Sequence, residues 1–286
     1  MGPMRVGWHG LLQPIAHGLK LITKEDIIPA NASKILFIAS PAIAMVPALL
    51  SIAVIPFGDT ISIMGVSIDM VITDVNIGIL FILAVSSVGV YGILLGGWSS
   101  NNKYSLLGGL RSSAQMISYE LSMGLSLIGV IMMTGSLSLV DTVNAQTDLW
   151  FVVLQPVAFL VYAISAIAET NRCPFDLPEA ETELVSGFHT EYSSMKFALF
   201  FMAEYANIIT VSAVGVTFFF GGWRGPFLPP VVWFLIKMAM CIFFFVWLRS
   251  TFPRFRIDQL MQFAWKILLP VAIANVLITG LVMSFL

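Results

Sequence analysis

Between Glu169 and Glu191 lie six of the chain's sixteen carboxylates: Glu169, Asp176, Glu179, Glu181, Glu183 and Glu191. They share the segment with one arginine, Arg172, and one histidine, His189. Carboxylates this dense can change protonation when a neighbouring charge appears, because nearby charge and desolvation both move a carboxyl pKa. Pro174 and Pro178 stiffen the first half of the segment. Glu179, Glu181 and Glu183 alternate, so a strand would place them on one face and a helix would spread them. A charge run alone is usually a solvated surface. Here Phe175, Leu177, Leu184, Val185 and Phe188 interleave with the acids, which predicts a loop folded back on the rest of the chain and a functional role for it.

Four further positions place ionisable groups within or at the end of long apolar stretches: Glu120, Glu204, Lys237 and Glu169. Charge inside a membrane is costly and marks functional candidates. Two readings stand side by side. Glu204 and Lys237 sit at similar depths on consecutive stretches and could form a buried ion pair. Taken with Glu120 and Glu169, they could instead form a hydrated proton path running inward from one surface. Other chemistries are weakly supported. His9, His17 and His189 lack metal-ligand spacing, no phosphate-binding glycine motif is present, and Gly108-Gly109 reads as a turn. Cys173, beside Arg172, reads as a small side chain, although the arginine could activate it slightly. Two cysteines, Cys173 and Cys241, are too few for an iron–sulfur cluster, so any redox centre belongs to a partner.

The elements that must carry these residues follow from composition. Only 10% of the 286 residues are charged, against about 25% in a soluble domain. That leaves too little polar surface to coat a globule. A net charge of −2 offers no footprint for nucleic acid. Seven stretches approach the roughly 20 apolar residues needed to cross a bilayer: 35–57, 75–96, 114–139, 149–169, 195–220, 229–249 and 265–285. The expected fold is all-α, a single polytopic bundle over 1–286 without internal repeats. Twelve of the fourteen basic residues fall on one side of seven alternating spans, which makes that side the inside, with the N-terminus there. The inside segments are 1–34, 97–113, 170–194 and 250–264. Leu11, Ile15, Leu19 and Ile22 recur at helical spacing, consistent with an interfacial helix or with a lead-in packed on other loops.

The stretch AETNRCPFDLPEAETELVSGFHTEYSSMKFALFFMAEYANII (168–209) resembles the most recognisable part of one family. That family is the H-type membrane subunit of bacterial NADH:quinone oxidoreductase, respiratory complex I, whose mitochondrial counterpart is NADH dehydrogenase subunit one. LLQPIAHGLKLITKEDIIP (11–29), KYSLLGGLRSSAQMISYE (103–120) and LRSTFPRFRIDQLMQFAWKILLP (248–270) resemble its other inside segments in the same order. The family fold has eight transmembrane helices. Seven are counted here, and the resemblance places the first before MGPMRVG. Trp8-His9 and His17 depart from the family pattern, the latter replacing an Asp.

The resemblance implies a membrane component that forms the quinone chamber with a peripheral arm and couples quinone reduction to proton translocation. Glu169, Arg172, Asp176, Glu179, Glu181, Glu183 and Glu191 would belong to the chamber and coupling loop, Glu120 and Glu204 to the intramembrane carboxylates. Quinone, either ubiquinone or menaquinone, would be substrate. Flavin and iron–sulfur clusters would reside in partner subunits, and small membrane subunits would lead on to antiporter-like ones. The location implied is the bacterial plasma membrane, or the mitochondrial inner membrane in a eukaryote. Two other functions compete: the equivalent component of a membrane-bound hydrogenase or formate-hydrogen lyase, and a stand-alone carrier.

Overall fold

The computed structural model describes residues 4–63, 66–68, 70–147, 149–176 and 184–285. Among these, six helices are long and apolar enough to cross a membrane. They are α2 (Lys34–Ile52), α3 (Gly78–Ser99), α4 (Lys103–Thr134), α8 (Ser194–Phe219), α9 (Pro230–Thr251), and the continuous Ile257–Phe285 run made of α10 (Ile257–Phe263), a π-helical turn and α11 (Leu269–Phe285). The shorter α-helices among the described residues are α1 (Gln13–Thr23), α5 (Leu139–Asn144), α6 (Phe151–Leu154) and α7 (Pro156–Glu169). One antiparallel hairpin pairs β1 (Ile61–Ile63) with β2 (Val66–Ile68).

The seventh crossing is a broken one. Gln155 leaves helical geometry with φ −127 and ψ 56, and Pro156 restarts the helix as α7. At 1.5 Å per residue α7 is only about 21 Å long. Irregular backbone at membrane depth must be covered by protein, and the Gln155 side chain supplies cover. It donates to Thr279 Oγ1 at 2.8 Å and accepts from Asn275 Nδ2 at 3.0 Å, both on α11.

Contacts between connecting segments sort onto two faces, as alternating spans require. On the basic face Lys196 pairs with Asp26 at 2.8 Å, Asn102 Nδ2 donates to Glu191 at 2.7 Å, and Arg254 pairs with Asp176 at 2.9 Å. On the opposite face the Gly221 N–H donates to Gln146 Oε1 at 3.0 Å and Arg224 donates to Asn144 at 3.2 Å.

Two expectations change here. Residues 103–113 are not loop but the opening turns of α4, and Asn102 caps them by accepting from the Tyr104 N–H at 3.0 Å. Gly108 and Gly109 are therefore helical rather than a turn. Their small size admits close neighbours: a Cβ on Gly108 would stand 2.7 Å from the Phe188 backbone nitrogen and 2.8 Å from Gly187. The segment after residue 184 thus lies directly against the α4 backbone. Within 250–264, residues 257–263 form α10 rather than loop.

Apolar packing forms three clusters. One, nearer the opposite face, joins Ile79, Leu127, Val143, Phe218 and Phe234. The second joins Tyr119, Ile167, Phe175 and Leu260. The third joins Phe37, Ala44, Phe188, Tyr192 and Phe200. The α1 helix is tied to the start of α8, where Ser194 Oγ donates to the Leu21 carbonyl at 3.0 Å, but Leu11, Ile15, Leu19 and Ile22 are exposed.

Candidate functional site: a buried ion pair at the head of two cavities

Glu169 is the last residue of α7 and is buried. The chain turns immediately after it. Asn171 takes a left-handed φ of 51, which asparagine tolerates better than most residues. Its Nδ2 donates to Ser112 Oγ on α4 at 3.0 Å. Gln115, also on α4, donates from Nε2 to the carbonyls of Ala168 and Phe175 at 2.8 and 2.9 Å. These bonds hold the turn against α4 and send Arg172 inward. Its guanidinium meets Glu204 on α8, with Nε 2.5 Å from Oε1 and side-chain exposures of 9% and 15%. The same guanidinium lies 4.8 Å from the Tyr205 ring centre, a favourable cation–π distance.

Glu204 sits about ten residues into α8, or about 15 Å from its start at the helical rise. A loop arginine therefore neutralises an acid well inside a spanning helix. This overturns one of the two readings of Glu204, a pairing with Lys237. The Lys237 ammonium instead donates to the carbonyls of Phe220, Gly222 and Arg224 at 2.7, 3.0 and 2.6 Å. It lies 4.7 Å from the Trp150 ring centre. Similar depth on consecutive spans does not bring the two together because Lys237 reaches outward to the α8–α9 turn.

A cavity of about 40 Å³ adjoins the ion pair and is lined by Glu169, Asn171, His189, Glu204 and Asn207 among others. A second, of about 20 Å³, is lined by Glu169 and Asn207 again, with Ser51, Ser86, Tyr162 and Thr210. The shared residues make the two cavities neighbours. Glu169 Oε2 and Thr210 Oγ1 are buried and have no hydrogen-bond partner among the described residues. Glu120 lies close enough to Glu169 for its charge to act there, and it accepts a hydrogen bond from Ser87 on α3. Cavities of this size and polarity can hold water, which needs about 10–15 Å³ and two or more polar partners. Arg172, Glu204, Glu169 and Glu120 thus form one polar succession across α8, α7 and α4.

The remaining acids are dispersed. Asp176 pairs with Arg254 rather than facing the cavity; burial raises its pKa, against the lowering pull of Arg254, Arg172 and Arg249. Glu191 accepts from Asn102 at the rim. Glu179, Glu181 and Glu183 lie outside the described residues. The Cys173 thiol is not activated: burial, then Asp176, raise its pKa. Among the described residues no group of histidine, cysteine and carboxylate side chains could hold a metal ion.

Sequence reasoning assigns no role at the site to two residues that border the first cavity. His189 is caged by Phe188, Phe197 and Phe201, with ring centres 4.8, 5.3 and 5.6 Å away. Burial pushes its pKa down to about 4, so the ring is neutral. Asn207 follows Glu204 by three residues, a spacing that puts both on one helix face; an amide in an apolar span is the available signal.

A family model described as NADH dehydrogenase matches residues 1–280. The chain is 58% identical to the second of the H subunits of NADH-quinone oxidoreductase in Geobacter sulfurreducens, across 99% of this chain and 86% of the relative. It is 53% identical to the second H subunit of the Rhizobium meliloti enzyme, across 99% and 87%. It is also 53% identical to the H subunit of the Thermomicrobium roseum enzyme, across 99% and 86%. With a helical membrane bundle matched over nearly its whole length at this identity, the chain belongs to the H-subunit family of NADH-quinone oxidoreductase, as an integral membrane component of that enzyme.

Proposed function

We propose that this chain forms the membrane wall of the quinone chamber and passes the charge change of quinone reduction to buried carboxylates. The observation that carries this reading is the Arg172–Glu204 pair at the head of two cavities that share Glu169 and Asn207. Partner subunits of a peripheral arm supply the electrons from flavin and iron–sulfur clusters. Reduction makes the quinone head group require protons. New charge near Arg172 competes with Glu204 for the guanidinium. A released Glu204 carboxylate is free to take a proton from the adjoining cavity. Glu169 and Glu120 lie next in the succession. Asp176, Glu191 and the acids at 179, 181 and 183 shape the loop and its electrostatics on the chamber side. Neighbouring membrane subunits receive the perturbation and move protons, and the assembly lies in the bacterial plasma membrane.

Glu204→Gln tests the reading, because it keeps shape and removes the titrating group. In membrane vesicles both NADH-driven quinone reduction and proton uptake are expected to fall together. Undiminished coupled activity overturns the role of Glu204.

A further inference from the structure

On the basic face an apolar groove of about 520 Å³, whose lining does not include Arg172 or Glu204, lies between α7, residues 174–175, the end of α9, and α10. Ile164, Ile167, Phe175, Phe252, Phe255 and Phe263 line it, and Gln259 is the one polar side chain in the lining. We infer that this groove seats an acyl chain of an anionic phospholipid whose phosphate rests on Arg249.

The lining sets the chemistry of the occupant. A quinone head group carries two carbonyls that want donors, and one glutamine does not provide a head-group site. A hydrocarbon chain needs none and gains from every apolar neighbour. The α9 helix that contributes Leu248 to the groove also carries exposed apolar residues. Phe243 and Trp247 are 69% and 59% exposed, which is surface suited to acyl chains.

Charge at the rim completes the match. Arg249 adjoins the lining residue Leu248, while Arg254 and Arg256 stand on either side of Phe255. Arg254 is committed to Asp176 and Arg256 to Asp258, at 2.9 and 3.0 Å. Arg249 is exposed and makes no ion pair among the described residues. Its charge acts on Cys173 and Asp176 at the same rim. Among the described residues, three arginines against two aspartates leave one positive charge, on a planar group suited to phosphate. Arg249 comes two residues before the end of α9, which is headgroup depth for a helix crossing from the opposite face.

The test uses the intact complex, extracted in mild detergent and depleted of loosely held lipid. It is incubated with phosphatidylglycerol carrying a photoactivatable group on one acyl chain, irradiated and digested. Label is expected on peptides containing Ile164–Ile167 and Phe252–Phe263. Unlabelled phosphatidylglycerol should compete, and phosphatidylcholine should not. Arg249→Gln, a surface change that leaves assembly intact, should cut labelling about fivefold, the effect of roughly one interfacial cation. Arg249→Lys should retain most of it. The groove-filling Ile167→Trp should abolish labelling with Arg249 present. Equal competition by phosphatidylcholine would mean ordinary surrounding lipid. Label diverted onto another chain of the complex would mean that a protein covers the groove. Unchanged labelling in Arg249→Gln would remove the headgroup contact. Each of these three results overturns the inference.

Discussion

Arg172 and Glu204 meet at 2.5 Å although one follows the end of α7 and the other lies ten residues inside α8. Removing one partner of a buried pair strands the other charge and costs about 3–5 kcal/mol, whereas replacing both with apolar groups is often neutral. The variants therefore separate structure from chemistry. Arg172→Met should lower both the thermal stability of the complex and quinone reduction. Arg172→Met combined with Glu204→Met should recover stability and remain defective in proton uptake. A double variant that pumps normally would make the pair purely structural.

Lys237 closes the α8–α9 turn through three carbonyls. Lys237→Met leaves these oxygens without their donor, at about 1–3 kcal/mol for each group left buried and unsatisfied. The expected result is a lower melting temperature of the assembled complex, with an unchanged number of protons moved per NADH in what survives. A reduced ratio at full assembly would put Lys237 on the proton path.

Gly108 lets the 187–188 backbone touch α4. Gly108→Val forces that contact apart, with an overpacking cost of about 1–3 kcal/mol. Because the displaced segment carries Phe188 and His189 beside the first cavity, the KM for a short-chain quinone should rise more than assembly falls. A normal KM in fully assembled complex would show that the segment does not shape the chamber.

His189 is held neutral by burial, with a pKa lowered from 6.5 to about 4. Between these values the unfolded chain binds more protons than the folded one, so stability falls as pH drops through that window. Above about pH 6.5 the group contributes no pH dependence. Thermal denaturation of the complex across a range of about pH 4 to 8 should lose part of its acid sensitivity in His189→Phe. Identical profiles would place the sensitivity elsewhere.

Much of the candidate site was legible because membranes make charge expensive. Glu120, Glu169, Glu204 and Lys237 stand out in apolar runs for that reason, and the structure brings Glu120, Glu169 and Glu204 into one region. The density of acids around Arg172 was equally plain. Their partners were not. Asp176 turns to Arg254, 78 residues away, and Glu191 to Asn102, 89 residues away. No local spacing rule links residues that far apart.

The chain by itself determined that it spans a membrane as a helical bundle, how the spans alternate, and which side is basic, because hydrophobic length and lysine–arginine bias act segment by segment. Its family resemblance was likewise visible in four stretches of sequence. Only the tertiary structure decided that Arg172 answers Glu204 while Lys237 answers backbone carbonyls. It also decided that Gly108 lies in a helix under a loop and that Glu169 and Asn207 border both cavities. Those outcomes depend on helix rotation and on which buried polar groups can satisfy one another. Hydropathy carries neither: it reports how deep a residue lies but not what it faces.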